Sequence, residues 1–456
     1  MDTSVKIGDI LEGEIIDINY EGGGIVKKDN FTIFLDKGLI GDIVKYRVVK
    51  VKKTYGIGKL LDIIKPSAYR VSSICNTSGE CGGCPFQFFN YTKQLEWKEE
   101  KVKKDVEKIG GLDASIVKHI IGMEEPYRYR NNVQIPVGLK DGEIAIGFYE
   151  SGSYNIADID NCVIQTEISN EIVKTIKNFM KEYNLKPYDR KNRTGSIRHI
   201  GIRTNIENKA MVIIVTGSRN LPYSKELIKI LTEKFKDIIS IYQNINSGNG
   251  PVVYGEKFKK LYGEDKIIDC IGDFKFSISP NSFFQVNRVQ TKILYDKVKE
   301  YMDLKSEDII FDLYCGIGTI SLYMARQAKK VYGVEIVEEA IKDAIENARL
   351  NNIENVEFIC GSSEKILPEL KEKGIKVDKI VVDPPRKGCD RQVLDTIIEM
   401  NPERIVYVSC NPSTLARDLK YLSENGYKIK EIQPVDMFPR SIHVECVIGM
   451  QRKDMK

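Results

Sequence analysis

Apolar strands alternate with helical stretches across residues 276–456, which predicts an α/β fold built on a doubly wound, mainly parallel, Rossmann-like sheet. Two further observations describe what precedes it. Residues 1–65 are short β runs set between glycines, the pattern of a small barrel of the oligonucleotide-binding type. Residues 66–275 read as mixed and mainly β, with one clear helix. A chain of 456 residues is also too long for one ordinary domain. The expected organisation is therefore three domains, 1–65, 66–275 and 276–456.

The first region suits five strands, with runs such as Ile15–Ile18 and Phe31–Leu35 around Gly22-Gly23-Gly24. From Lys45 to Leu61 it carries Lys45, Arg47, Lys50, Lys52, Lys53 and Lys59 and no acid, with Tyr46 and Tyr55 interleaved. Positive charge beside aromatic faces is what single-stranded nucleic acid binds. A solvated basic strand face fits the pattern equally well.

In the second region a helix is expected from about Tyr91 to Ile109, free to pack on a domain other than its neighbours'. Two alternating stretches, Arg130–Val137 and Ile144–Phe148, predict a hairpin turning at Lys140-Asp141-Gly142. Arg190, Lys191, Arg193, Arg198 and Arg203 occur within 190–205 without an acid, as phosphate contacts or as a plain exposed loop. In the third region strands are expected at Ile309–Tyr314, Val331–Glu335, Val356–Cys360, Lys379–Asp383, Ile405–Ser409, Lys428–Val435 and Ile442–Met450, with helices between most of them.

The composition is that of a globular protein, 42% hydrophobic and 29% charged. No apolar run approaches the roughly 20 residues of a membrane span. The start, Met1-Asp2-Thr3-Ser4-Val5, has no basic stretch followed by an apolar core, so a cytoplasmic location is expected. A net charge of +4 is too small to argue for nucleic acid globally and leaves the argument to local clusters. No pattern demands a protein partner, and a monomer is expected.

Ligands in open α/β sheets bind at the carboxyl ends of the strands, and three such ends carry chemistry. The first is Phe311-Asp312-Leu313-Tyr314-Cys315-Gly316-Ile317-Gly318-Thr319, whose glycines let backbone approach a ligand. The second, Val334-Glu335, places an acid where it bonds ribose hydroxyls. The third is Asp383-Pro384-Pro385-Arg386. Together they resemble the class I S-adenosylmethionine-dependent methyltransferases. Arg386 stands where methyltransferases acting on amino groups carry an aromatic residue, which argues against an amine target.

The fifth strand leads into Val408-Ser409-Cys410-Asn411-Pro412. A thiol just before a helix N-terminus is expected to have a lowered pKa, because the helix dipole favours thiolate. Near the C-terminus, Glu445 sits in the apolar run Ile442-His443-Val444-Glu445-Cys446, where an unpaired carboxylate is expensive. Such a cost points to a functional role. With Phe283-Phe284-Gln285-Val286-Asn287, these motifs resemble the RNA (uracil-5)-methyltransferase family over the last ~170 residues. The resemblance implies Cys410 as nucleophile and Glu445 as base. It implies S-adenosylmethionine contacts from Gln285, Tyr314, Gly316, Gly318, Thr319, Glu335 and Asp383; Thr319 stands where some family members carry asparagine.

The chemistry calls for this pair. Uracil C5 is a poor nucleophile, and a thiolate adding at C6 makes it enolate-like. The C5 proton must then leave, which requires a base, and the target must leave its stack.

Cys75, Cys81, Cys84 and the distant Cys162 supply four thiolates, enough for zinc or an iron–sulfur cluster; spacing alone does not choose. The set resembles the [4Fe–4S] site of the family's ribosomal-RNA members, and residues 1–65 resemble the TRAM RNA-binding domain. Both resemblances imply 23S ribosomal RNA as substrate, with two alternatives: transfer RNA as substrate, or an RNA-binding or folding factor whose methyltransferase domain is inactive, against which the intact Cys410, Glu445 and Asp383 argue. A structural, an RNA-docking and a redox-sensing role for the cluster all stay open.

Overall fold

A computed structural model describes residues 5–455, so Met1–Ser4, on which the reading of the N-terminus rests, lie outside the described residues. The chain forms two compact units from interleaved segments. The first contains the N-terminal part through Trp97 together with Pro136–Val163 and Arg440–Ile442; the second contains Lys98–Ile135, Ile164–Pro439 and the residues from His443 on.

The first unit begins with six strands: β1 (Ile10–Glu14), β2 (Asp17–Ile18), β3 (Gly24–Lys28), β4 (Phe31–Leu35), β5 (Ile43–Val51) and β6 (Tyr55–Lys65). Their order is β1-β5-β6-β4-β3-β2, and β1 also lies beside β3. The sheet wraps a core of Ile15, Val26, Ile33, Leu35, Val44, Tyr46 and Val48. Five strands were expected; the sixth is the two-residue β2, too short to leave a periodic signal. In β5 the two-residue period buries Val44, Tyr46 and Val48 and turns Lys45 and Arg47 to solvent. Tyr46 is thus a core residue, and only Tyr55, edge-to-face with Phe34 at 5.5 Å, keeps an accessible ring on the basic stretch.

Helix α1 (Tyr91–Lys108) begins in this unit. Gln94 Nε2 donates to the carbonyls of Phe86 (3.0 Å) and Phe89 (2.6 Å), and the Trp97 indole donates to Asp17 at 3.1 Å. Strand β7 (Asn132–Lys140) turns into β8 (Glu143–Ile146) through Asp141 (φ 53°) and Gly142 (φ 84°). Two left-handed residues in a row give the expected tight hairpin.

The second unit holds two larger sheets. Around α2 (Glu167–Glu182) and α3 (Ser224–Lys234) run β9 (Ile197–Thr204), β10 (Ala210–Thr216), β11 (Ile238–Ile245) and β12 (Lys257–Gly263), ordered β12-β11-β10-β9 and continuing to β7. All of β9 is buried. Arg198 and Arg203 are therefore interior residues, each donating to backbone carbonyls, and neither is available as the phosphate contact the sequence allowed. The hairpin β13 (Ile267–Ile271) and β14 (Phe274–Ile278) leads through α4 (Arg288–Met302) into the last sheet.

That sheet is built from β15 (Ile309–Leu313), α5 (Thr319–Ala325), β16 (Lys330–Glu335), α6 (Glu338–Leu350), β17 (Val356–Cys360), α7 (Ser363–Glu372), β18 (Lys379–Val382), α8 (Arg391–Met400), β19 (Arg404–Ser409), α9 (Pro412–Glu424), β20 (Tyr427–Val435) and β21 (Glu445–Arg452). The strand order is β17-β16-β15-β18-β19-β21-β20. The first five are parallel, and β21 runs antiparallel to both neighbours. Val102 and Val106 of α1 pack into its core with Leu415, Leu419 and Ile448. The last strand starts at Glu445 rather than Ile442, because Arg440 is left-handed (φ 69°) and the extended run resumes only beyond it. Among the described residues, no helix is long and apolar enough to cross a membrane.

Candidate active site

The strand order reverses between β15 and β18, and a crevice opens at their carboxyl ends. Beyond β15 the chain turns through Tyr314 (φ 67°), Gly316 (φ 55°) and Gly318 (φ 81°). A Cβ on Gly318 would lie 2.7 Å from the Phe358 ring, so the turn requires glycine there. Tyr314 adopts the left-handed conformation without that freedom, a strained backbone of the kind found where ligands bind. The pocket is lined by Phe283, Gln285, Tyr295, Asp312, Tyr314, Gly316, Thr319 and Asp383, among others. Its enclosed part is about 30 Å³. Ligand pockets are roughly 300 Å³ or more, so a nucleoside extends beyond it.

Glu335 sits beside the pocket, accepting from the Gly316 amide (3.1 Å) and the Val337 amide (2.9 Å). The Thr319 hydroxyl is 2.8 Å from that of Tyr295. Gly318 lies behind, at the N-cap of α5. Gln285 is buried, and its carbonyl accepts from Asn131 at 3.0 Å.

Sequence reasoning missed Asp312. One of its carboxylate oxygens accepts from Ser321 at 2.5 Å; the other, Oδ1, is buried without a hydrogen-bond partner. Burial pushes the carboxyl up to about 7. The signal was present, since an acid inside Ile309-Ile310-Phe311-Asp312-Leu313 is the anomaly that singled out Glu445. Tyr295 and the exposed Phe283 ring were also missed; nothing in their spacing marks them.

Asp383 follows β18, its amide donating to the Leu313 carbonyl at 3.3 Å, and burial raises its carboxyl to about 7. Cys410 follows β19. The β19–β21 ladder ends at Ser409↔Cys446, which leaves Cys410 and Glu445 at the same end of the two strands, and the Glu445 charge acts on the Cys410 thiol. Glu445 is 4% exposed. Burial, and then the charge of Asp383, raise its carboxyl well above the usual range, while Arg386 lowers it.

The expected lowering of the Cys410 pKa is not found. Burial and then the Glu445 charge push the thiol up to about 11, against the opposing pull of Arg386. Desolvation of the thiolate outweighs the helix dipole here. Arg386 is held beside the thiol because its carbonyl accepts from Asn411 (3.0 Å) and Thr414 (3.1 Å) at the start of α9. Arg386 was noted in the sequence only as a departure from an aromatic motif; in the fold it is the cation that opposes burial at both Cys410 and Glu445.

The four remaining predicted ligands lie in the first unit. The amide of Gly82 donates to the Tyr149 carbonyl (2.9 Å), and Cys81 pairs with Glu150 in a β-bridge; these ties hold the Cys75–Cys84 loop against the segment leading to Cys162. Burial, then the charges of the other cysteines led by Cys162, push Cys84 up to about 12 and Cys81 to about 11. By chemistry alone the four thiols suit a thiolate-ligated cation, whose charge would offset that repulsion, but their side chains do not form a ligand set in this arrangement. Among the described residues, no group of three or more His, Cys, Asp or Glu side chains is arranged to hold a metal ion.

The strand order, the glycine turn after β15 and the acid closing β16 define the catalytic region as a class I S-adenosylmethionine-dependent methyltransferase. The family model for tRNA (uracil-5-)-methyltransferase matches residues 90–453. The chain is 50% identical to an RNA methyltransferase of Clostridium tetani over 450 residues, 98% of each chain. It is 45% identical to one of Halalkalibacterium halodurans, over 99% of this chain and 98% of that one. Among solved structures it is similar to the Pyrococcus abyssi tRNA (uracil-54, C5)-methyltransferase in complex with S-adenosyl-L-homocysteine. That likeness has a TM-score of 0.77 and 30% identity, and covers 96% of this chain and 99% of that one. The chain belongs to the RNA (uracil-5-)-methyltransferase family and is an S-adenosylmethionine-dependent enzyme acting on RNA.

Proposed function

We propose that this enzyme methylates carbon 5 of a uridine in 23S ribosomal RNA, with Cys410 as covalent nucleophile and Glu445 as base. The observation that carries the reading is that Cys410 and the buried Glu445 lie at the shared end of β19 and β21, where the Glu445 charge acts on the thiol and the Asp383 charge acts on both. The Cys410 thiol first loses its proton to solvent; the thiolate then adds to uracil C6, and the C5=C6 electron pair moves toward O4, giving an enolate that the Arg386 charge stabilises. S-adenosylmethionine, when bound, supplies an electrophilic methyl group for C5. Glu445 then takes the C5 proton, C5=C6 re-forms and the Cys410 sulfur leaves. A carboxyl with a raised pKa is a strong base once ionised, which suits this step.

Gln285, Tyr314, Gly316, Gly318, Thr319, Glu335 and Asp383 hold the methyl donor. Cys75, Cys81, Cys84 and Cys162 would hold a [4Fe–4S] cluster in preference to zinc, and such a cluster would cross-link a loop to a distant segment. Residues 1–65 act as a TRAM-like RNA-binding domain, 66–275 as a central RNA-binding domain and 276–456 as the catalytic domain of a cytoplasmic monomer. The cysteine set, through its resemblance to the cluster site of the family's ribosomal-RNA members, supports the ribosomal substrate. Transfer RNA is the second reading, favoured by the Pyrococcus abyssi neighbour, which acts on transfer RNA and matches this chain over nearly its full length.

Methyl transfer from labelled S-adenosylmethionine to unmodified 23S RNA and, separately, to unmodified transfer RNA tests this. Label recovered as 5-methyluridine from 23S RNA alone is expected. Label from transfer RNA alone replaces the substrate assignment, and label in another nucleoside overturns the chemistry.

A further inference from the structure

The second unit has a surface outside the methyl-transfer site whose charge and backbone are organised for an anion. The registers Ile197↔Thr216, Thr216↔Ile245 and Ile245↔Lys257 bring the start of β9, the ends of β10 and β11 and the start of β12 to one end of the sheet. Three connecting segments, 189–195, 217–220 and 246–256, gather there with the first residues of β12. They contribute Arg190, Lys191, Arg193, Arg219, Lys257 and Lys259 against two acids, Asp189 and Glu256. Asp189 is occupied locally, accepting from the Lys191 amide (2.8 Å) and from Asn192 (2.6 Å). The whole protein carries only +4, so this end holds a disproportionate share of its positive charge.

Arg198 organises the middle loop. It is 2% exposed, and it donates to the carbonyls of Asn246 (3.0 Å), Gly248 (2.6 Å), Gly250 (3.1 Å) and Val252 (3.4 Å). Residues 247–252 themselves are exposed. Because the Asn246 and Gly248 carbonyls turn inward onto the guanidinium, the amides of Ser247 and Asn249 in the same peptides point the opposite way, outward, while the peptide after Gly250 is prolyl and offers no N–H. The guanidinium beneath adds a fixed charge that cannot be neutralised near pH 7. Arg190 ties a second segment to the same loop through the Gly250 carbonyl at 3.4 Å. The field is felt inside as well: burial, then Arg198 and Arg190, push the His199 imidazole down to about 3.

We infer that this end of the β9–β12 sheet is an RNA-backbone binding surface, on which loop 246–252 receives a phosphate and Arg193, Arg219 and Lys257 neutralise its neighbours along the strand. The inference rests on the enzyme acting on RNA. The contacts are to phosphate, so they position the substrate and carry no base specificity.

The experiment measures RNA affinity against salt for the full-length wild type and for Arg193→Glu/Arg219→Glu/Lys257→Glu, with 23S RNA and transfer RNA as probes. Each phosphate contact contributes roughly 0.7 to 0.9 to the slope of log affinity on log salt. The variant should lose about 2 to 3 from that slope and bind S-adenosylmethionine as the wild type does. In parallel, a photo-cross-linker placed at Asn249 should capture RNA, and one at Glu207, in the β9–β10 turn at the other end of the sheet, should not. That measurement uses otherwise unaltered protein and does not depend on the variant folding. An unchanged slope, or equal cross-linking at the two positions, in a wild type that binds RNA overturns the surface. A wild type that binds neither RNA overturns the RNA reading and the surface with it.

Discussion

Four side chains at adjacent strand ends, Asp312, Asp383, Cys410 and Glu445, would all carry negative charge if ionised, and Arg386 is the cation that acts on two of them. Burial therefore raises the pKa of all four. A helix dipole is worth about 0.3–1 kcal/mol at its N-terminus, less than desolvation combined with the Glu445 charge. Since the thiol is raised to about 11, the thiolate fraction grows about tenfold per pH unit below that value. Alkylation of Cys410 by iodoacetamide in the free enzyme should rise accordingly from pH 7 to 10, read by mass spectrometry of its peptide. A plateau near neutrality would show that the dipole wins after all. Glu445→Gln removes the proposed base while keeping the shape of the site. It should transfer the methyl group and then stall, with RNA covalently attached through Cys410 and visible as a denaturation-resistant band. Cys410→Ala should give neither band nor product. Release of methylated RNA by Glu445→Gln at the wild-type rate would remove Glu445 from the proton step.

At the scale of elements, the segment after β18 is tied to the start of α9, beside the proposed nucleophile. Arg386 is fastened to α9 through Asn411 and Thr414, and Arg417 reaches the Lys387 carbonyl at 3.0 Å. Gly388 makes this close packing possible. It is left-handed (φ 80°), and a Cβ would stand 2.5 Å from Asp418 Oδ2 and 2.6 Å from an Arg417 nitrogen. Asp418 cannot easily yield, since it also accepts from the Cys389 amide (3.0 Å) and the Tyr407 hydroxyl (2.7 Å). Gly388→Ala should cost about 1–3 kcal/mol, lowering Tm in a thermal melt and lowering the rate of adduct formation more than the affinity for S-adenosylmethionine. Wild-type melting and adduct formation would show that the segment relaxes without consequence. Glycine at 388 was visible in the sequence, but the neighbours that demand it were not, because Asp418 and Arg417 come from another element.

At the scale of the molecule, each compact unit is assembled from segments far apart in the chain. The four cysteines show the consequence: three lie in one loop and the fourth about 80 residues on, and folding brings all four into one electrostatic neighbourhood. Cys162→Ser, purified without oxygen, should lose most of the bound iron and the broad absorbance near 400 nm. Cys270→Ser, altered in a different unit, should keep both. Equal iron in the two variants, or zinc in the wild type, would reject the cluster.

The sequence by itself determined the alternation that makes the α/β sheet, the strands that carry the catalytic motifs and the family motifs themselves. These are local or nearly local signals: a two-residue or 3.6-residue period, a glycine turn, an acid in an apolar run. Tertiary structure decided the rest. Tyr46, Arg198 and Arg203 look like surface ligands in a linear reading and are interior groups, because exposure depends on what packs against a face. Asp312 and Arg386 belong to the site only because β15, β18, β19 and β21 are neighbours. The ionisation of Cys410 was misjudged for the same reason. A pKa is set by burial and by charges across space, and neither is written along the chain.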